Sequence, residues 1–192
     1  MVCRYFQRGT VVLAGLRKYV VLAIFAVGTC LFAGDLQLDM EKSWVSASAR
    51  ATGHSFTANP TQFNCGVVLN DANEISAASF SFSVADLVTG KKKRDKEMWH
   101  WLEVEKYANV TFTMKQLKEE NGQKVIIGDF ELHNVHQTLE IPIVVVNEDG
   151  QMKISGEVTL DTRQFDLPII RKMGLFKVKP HLTVTFELLG TV

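Results

Sequence analysis

Residues 182–188 read Leu-Thr-Val-Thr-Phe-Glu-Leu, and residues 152–160 read Met-Lys-Ile-Ser-Gly-Glu-Val-Thr-Leu. In both stretches apolar residues alternate with polar or small ones. Successive side chains of a β-strand point to opposite faces, so this period of two predicts strands with one buried and one solvated face. Such strands are typical of antiparallel sheets, because the strands of a parallel sheet are usually covered on both faces.

The same alternation recurs along the chain from residue 42 onward, and about eight strands can be counted. The clearest further examples are residues 78–84, 110–115 and 139–145, and less regular ones are residues 43–51, 55–68 and 125–132. Turn sequences separate consecutive strands and predict hairpins at Asn121-Gly122, at Glu148-Asp149-Gly150 and at residues 133–137. No long helix lies between strands, so parallel crossover connections are not expected.

These features predict an all-β fold in which eight antiparallel strands close into a barrel. Two packed sheets would show the same alternation, and the pattern alone does not separate the two architectures. One helix is predicted at residues 92–105, with Trp99 and Trp101 among charged residues, and we expect it to lie over one opening of the barrel. Asp95 is expected to cap this helix. A second short helix is predicted at residues 168–173.

The first 33 residues have a different composition from the rest of the chain. They contain no acidic residue and four basic ones, Arg4, Arg8, Arg17 and Lys18, and residues 19–33 are apolar except for Thr29. A basic start followed by an apolar run is the layout of a secretory signal. We therefore predict a signal peptide at residues 1–33, cleaved after Ala33, and one exported domain at residues 34–192.

Two other interpretations of this segment stay open. A signal anchor that is not cleaved would span a membrane, although the apolar run is short for the roughly 17–25 residues that a spanning helix needs. A lipid attached to Cys30 would make the chain a lipoprotein, although Thr29 is an unusual residue before the modified cysteine.

The composition restricts the classes of function. The whole chain carries 21 Lys and Arg and 21 Asp and Glu, whereas residues 34–192 retain 17 of the basic residues and all the acidic ones, a net charge of −4. A mildly acidic domain has no electrostatic reason to bind nucleic acid. With 46% hydrophobic residues, the chain is not expected to be disordered.

Several segments, taken in order, resemble the YceI-like family of exported, polyisoprenoid-binding-like proteins. These segments are residues 78–84, 87–90, 94–98, 107–112, 127–135, 160–165, 176–178 and 184–186. Asn134 stands where the family's hairpin usually has Gly, an exchange that a left-handed turn tolerates. Ala108 replaces a frequent Pro. Residues 51–56 depart from the commoner pattern and resemble a subgroup variant, so the ligand can differ from a polyisoprenoid.

The resemblance covers residues 42–190 and implies a lipocalin-like barrel with an apolar tunnel in a periplasmic protein. We therefore expect a non-enzymatic carrier that holds an isoprenoid or another amphiphilic lipid, without a cofactor. The inward rows of the predicted strands would line the tunnel: Phe80, Phe82, Phe112, Met114, Ile141, Ile143, Ile154, Val158, Val184 and Phe186. The alternative for these residues is that they pack against one another.

Arg94 is the candidate contact for the polar end of the ligand. It follows Lys91-Lys92-Lys93 at a predicted strand-to-helix turn, where it could meet an anionic headgroup at the mouth of the barrel. An exposed charged loop with no ligand contact is the other interpretation.

No catalytic or metal-binding motif stands out. His133 and His136 are three residues apart but across a predicted turn, and no spacing typical of zinc or haem ligands is present. An enzyme or stress-response factor that acts on a small molecule in the same pocket is the alternative function, with His54 or Cys65 as candidate residues. A fully packed barrel that serves as an interaction module is a third.

Overall fold

The computed structural model describes residues 34–172 and 176–192. The predicted signal peptide, the alternatives to it, and Met173 of the second predicted helix lie outside the described residues. Within them no helix is both long and apolar enough to cross a membrane. They form one helix, α1 (Lys92–Trp101), two short 3₁₀ helices, Val84–Asp86 and Thr162–Phe165, and twelve strands. The strands are β1 (Gln37–Leu38), β2 (Trp44–Ala51), β3 (His54–Pro60), β4 (Asn64–Leu69), β5 (Ile75–Ser83), β6 (Leu87–Val88), β7 (Asn109–Glu120), β8 (Gln123–Leu132), β9 (Val135–Glu148), β10 (Gln151–Asp161), β11 (Arg171–Lys172) and β12 (Phe176–Thr191).

The strands form one curled antiparallel sheet, in the order β4-β5-β7-β8-β9-β10-β12-β2-β3-β6. The segment before β2 joins distant parts of this sheet. On one side Leu36 N donates to Val67 O of β4 (2.9 Å) and Leu69 N donates to Gly34 O (3.0 Å), and on the other side β1 pairs with β12. The all-β antiparallel class is confirmed, and one continuous sheet replaces the alternative of two packed sheets.

The strand count differs from the predicted eight. Nine strands have six residues or more and three have only two. The segment 55–68 contains two strands, β3 and β4, divided at residues 61–63 just after Pro60. Strands of two residues, such as β6, are too short to produce a detectable alternation.

The predicted hairpins are confirmed, and each uses two residues with positive φ. Asn121 and Gly122 have φ of 52° and 78°, and Asp149 and Gly150 have 51° and 76°. The third turn consists of His133 and Asn134, with φ of 55° and 59°. Two consecutive left-handed residues form the type I′ turn, whose twist matches that of antiparallel strands.

The helix predictions need three corrections. Helix α1 ends at Trp101 and not at residue 105, and Glu103 has a positive φ of 49°. Lys91 and not Asp95 occupies the N-cap position, and it makes no side-chain capping bond. Residues 168–170 form no regular element, and Arg171 and Lys172 form β11, because their backbone pairs with β12 and not within a helix.

The interior contains two clusters of buried side chains. The first cluster, which we call the packed half, consists of Leu36, Val67, Leu69, Ile75, Ile126, Ile141, Ile143, Met152, Ile154 and Leu188. The second cluster consists of Val84, Leu102, Val110, Leu132, Leu160, Phe165 and Leu167. Strand β10 contributes Ile154 to the first and Leu160 to the second, so the clusters lie at different levels along the strands.

Candidate functional site

A cavity of about 1320 Å³ lies beside the second cluster. Strands β2, β3, β5 and β12 and helix α1 provide most of its walls. Exposed residues such as Lys96 and His100 belong to its rim, so the cavity reaches the surface. We call this part of the interior, the cavity with the second cluster beside it, the open half.

Small side chains on neighbouring strands leave the space that the cavity occupies. Four alanines of β2 and β3 line the cavity: Ala47, Ala49, Ala51 and Ala58. They are neighbours across the strand pair, since Ala47 stands opposite Ala58 in the register. Because an alanine carries only one methyl group, this wall cannot fill the interior as the packed half does.

A bulge in β12 shapes the adjoining wall. Val178 pairs with Ala51 and Leu182 pairs with Ala49, so β12 uses four residues where β2 uses two. Pro180 lies within this irregularity, where its missing N–H costs no ladder hydrogen bond. Val178, Pro180 and Leu182 all line the cavity.

Two tryptophans attach helix α1 over the cavity. Trp99 Nε1 donates to the carbonyl oxygen of Leu87 (2.8 Å), and Trp101 Nε1 donates to that of Pro168 (2.7 Å). Both side chains line the cavity and pack against the second cluster. The helix therefore covers the cavity as the sequence predicted, and these bonds hold it at two points.

Arg94 lies on the cavity wall in a defined position. Its Nε donates to Thr89 Oγ1 (2.9 Å), its Nη2 donates to Thr89 O (3.2 Å), and its guanidinium carbon lies 4.5 Å from the centre of the Phe56 ring. The buried Asp95 fixes Thr89, because its Oδ1 accepts from the Thr89 backbone N (2.7 Å) and from Thr89 Oγ1 (2.5 Å). Arg94 is thus an ordered, half-buried cation and not part of a freely exposed loop.

The eleven residues predicted to bind a ligand are divided between the two halves. Four of them line the cavity: Phe80, Phe82, Arg94 and Val184. The other seven belong to the packed half or pack against it: Phe112, Met114, Ile141, Ile143, Ile154, Val158 and Phe186. Alternation identifies which side chains point inward, but it carries no information about their depth along the strand.

The sequence reasoning missed the small and bulge residues of the wall. The alanines of β2 and the segment around Pro180 were not singled out, since small inward side chains add little to an apolar pattern. Small residues alternate along residues 43–51, and a small residue on an inward face leaves space in the interior. This alternation was the sequence signal for the cavity wall. Phe56 was also missed.

His54 and Cys65 do not lie in one site. His54 lines the cavity, whereas Cys65 packs against the packed half. Burial raises the pKa of the Cys65 thiol to about 11, so the thiol is protonated at neutral pH and is a poor nucleophile.

His133 belongs both to the turn between β8 and β9 and to the wall of the cavity. Its Nδ1 lies 3.1 Å from the carbonyl oxygen of Phe165, which can only accept, so Nδ1 carries a proton. Its buried Nε2 lies 3.4 Å from Glu103 Oε2 without the alignment of a hydrogen bond, and its ring packs edge-on against Tyr107 (4.1 Å). Among the residues described, no group of three or more His, Cys, Asp or Glu side chains could hold a metal ion.

The architecture is shared with several solved structures. BcnA of Burkholderia cenocepacia superposes with a TM-score of 0.72 at 18% identity, over 81% of this chain and 100% of that chain. A polyisoprenoid binding domain from Saccharophagus degradans gives a TM-score of 0.64 at 14% identity, over 84% and 99%. The YceI protein of Campylobacter jejuni gives 0.60 at 14% identity, over 70% and 84%. At these identities the likeness establishes the fold alone.

Sequence comparison assigns the family. A search of curated proteins gave no significant match. The family model of the YceI-like domain, by contrast, matches residues 36–189, which span the strands from β1 to nearly the end of β12. The chain therefore belongs to the YceI-like domain family.

Proposed function

We propose that this protein is a non-enzymatic carrier that holds the apolar tail of an amphiphilic ligand in the cavity of the open half. The observation that carries the proposal is a cavity of about 1320 Å³ with largely apolar walls. Small-molecule sites usually measure about 300–1,000 Å³, so the space is ample for a lipid tail.

Burial of the tail supplies the affinity. Each methylene group withdrawn from water contributes about 0.8 kcal/mol. About ten methylenes would contribute roughly 8 kcal/mol before the costs of ordering the chain and the side chains are subtracted. Micromolar binding therefore requires no specific polar contact. An isoprenoid is the first ligand class to test, because one structure with this fold is described as a polyisoprenoid binding domain.

Arg94 is the proposed contact for the polar end of the ligand. Bonds to Thr89 and the Phe56 ring hold its guanidinium at the cavity wall. A preorganised guanidinium forms strong charge-assisted hydrogen bonds with a carboxylate or a phosphate. The ligand that fits both features has an apolar tail and an anionic head.

The absence of catalysis is part of the proposal. The thiol of Cys65 is buried away from the cavity, and its raised pKa opposes a nucleophilic role. His54 does line the cavity, so it is the residue on which an enzymatic role is to be tested.

Native mass spectrometry of protein purified without detergent tests the carrier function. We expect a bound lipid, either co-purified or taken up from prenyl alcohols and fatty acids. Ala47→Phe places a ring in the cavity and should abolish loading, whereas Ala77→Phe adds the same ring at an exposed site on β5 and should not. A wild-type protein that neither retains a co-purified lipid nor takes up a prenyl alcohol or fatty acid would disprove the carrier function. Turnover of a small molecule that His54→Ala abolishes at unchanged lipid content would disprove the non-enzymatic part.

We further propose that the domain functions in the periplasm after cleavage behind Ala33. Such a cut keeps the contacts that the structure describes, because the bond from Leu69 N of β4 to the carbonyl oxygen of Gly34 lies behind the cleavage point. Fractionation of the producing cells and the intact mass of the protein test this proposal. Cytoplasmic protein that retains residues 1–33 would contradict it.

A further inference from the structure

On three strands the residues that line the cavity give way to residues that pack against the packed half, whereas on β2 the lining reaches Val45, which stands opposite Phe186. Along β12 the inward side chains of Leu182 and Val184 line the cavity, whereas the next inward residue, Phe186, packs against the packed half. On β5, Phe80 lines the cavity and Ala78 does not. On β10, Leu160 lines the cavity, and the inward residue before it, Val158, packs against the packed half.

Two aromatic rings lie directly over glycines at this level. A Cβ at Gly128 would stand 2.5 Å from Cζ of Phe112, and a Cβ at Gly156 would stand 2.7 Å from Cζ of Phe186. Each ring therefore occupies the volume that a side chain would take on the neighbouring strand. Glycine is needed there for this close approach, since any larger residue would displace the ring.

Leu139 and Val158 complete the layer. Among the residues that the structure describes, these two pack against both the packed half and the second cluster. We call these two residues, with Phe112 and Phe186, the floor. Beneath the floor Ile143, Met152 and Ile154 are 1–2% exposed, so the interior continues as a close-packed core.

From this arrangement we infer that the floor limits the chain length of the ligand. This inference rests on the proposed carrier function. The tail enters at the side of α1 and ends where the lining of the cavity gives way to the floor residues, which lie behind it. The site therefore selects amphiphiles of bounded tail length and excludes a chain that threads the whole barrel. Val158 and Phe186 are specificity-determining residues that act by filling the interior next to the lining residues Val184 and Val45, and they contribute no polar contact.

A series of straight-chain fatty acids of increasing length tests the inference by titration against the purified protein. For wild type, affinity should rise about fourfold per added methylene, the equivalent of about 0.8 kcal/mol, and then stop rising at a limiting length. Val158→Ala and Phe186→Leu lower the floor and should move the limit to longer chains. Val184→Phe adds a ring to the cavity wall, opposite Val158 in the register, and should move the limit to shorter chains.

Val67→Ala is the matched control. It removes the same two methyl groups as Val158→Ala, but from the packed half away from the floor, and it should leave the limit unchanged. If no acid of any length binds to wild type but a prenyl alcohol does, the same series is measured with prenyl alcohols of increasing length. If neither class binds, the carrier function itself fails. Two results would leave the carrier function intact but overturn the floor inference. One is an affinity that rises through the whole series of bound acids. The other is a limiting length that is the same in wild type, in the floor variants and in Val184→Phe. Val184→Phe decides the matter where a floor variant does not fold, because it removes no core contact.

Discussion

The packed half and the open half share strands β5, β8, β10 and β12 and show the same alternation, yet one is solid and the other contains a cavity. In the packed half, β10 contributes Met152 and Ile154 and β12 contributes Leu188. In the open half, β2 and β3 contribute alanines, and β12 contributes a bulge. The difference shows that side-chain volume, and not the polar and apolar pattern, decides whether a barrel interior is filled.

The two halves also differ in what holds them together. The packed half is held by close contacts among branched side chains, which are lost in proportion to the volume removed. Helix α1, which covers the open half, is held by directional bonds, such as those of Trp99 and Trp101 to backbone carbonyls. A helix attached in this way can cover an empty cavity, because its attachment does not depend on filling the interior.

Truncating one aliphatic side chain in each half should give the largest contrast. Ile154 is 2% exposed in the packed half, and Ile154→Ala should lower the free energy of unfolding by about 2–5 kcal/mol. Leu182 is half-buried, lines the cavity and belongs to neither cluster, so Leu182→Ala should cost only about 1 kcal/mol. Urea unfolding followed by tryptophan fluorescence measures both. Equal losses would show that the open half is as tightly packed as the other.

Adding volume should reveal the same contrast at a smaller scale. Gly156→Ala places a Cβ 2.7 Å from Phe186 and 2.9 Å from the carbonyl oxygen of Pro142, and it should cost about 1–3 kcal/mol. Ala47→Val adds two methyl groups that face the cavity, so the unfolding free energy should change by less than about 0.5 kcal/mol. A thermal melt of both variants beside wild type is sufficient. A larger loss in Ala47→Val than in Gly156→Ala would contradict the description of the two halves.

The smallest expected effect concerns an ion pair at the edge of the open half. Arg163 Nε donates to Asp161 Oδ1 (2.9 Å), and this bond lowers the pKa of the Asp161 carboxyl to about 2 from its usual value of about 4. Because the pKa is lower in the folded state, the pair stabilises the protein above about pH 4. This contribution is lost as the pH falls toward 2.

Arg163→Gln should therefore unfold slightly more easily than wild type at pH 5–7, and the two proteins should converge near pH 2. Since the pair is exposed, the difference at neutral pH is small. Arg50→Gln, at an exposed arginine on β2, is the control and should leave the acid limb of the stability curve unchanged. A difference that persists at pH 2 would show that Arg163 acts by packing and not through Asp161.

Local features made the hairpins predictable from the sequence. The Asn-Gly and Asp-Gly turns adopt the expected left-handed pairs, because few other residues tolerate that backbone. The end of α1 and the role of Asp95 were wrong, since Asp95 bonds to Thr89, a partner that capping preferences do not foresee. For the site, the inward face of β12 was identified, but Val184 and Phe186 were not distinguished as cavity wall and floor.

The sequence by itself determined the antiparallel all-β class, the inward faces of the strands and the positions of the turns, because these depend on interactions between residues close along the chain. Only the tertiary structure decided where the interior is hollow. Cavity depth depends on which side chains from several strands meet at one level, as Phe186 meets Gly156 and Ala47 meets Ala58. Which side chains come together is determined by the strand register, the bulge in β12 and the position of α1. All three result from contacts between distant parts of the chain.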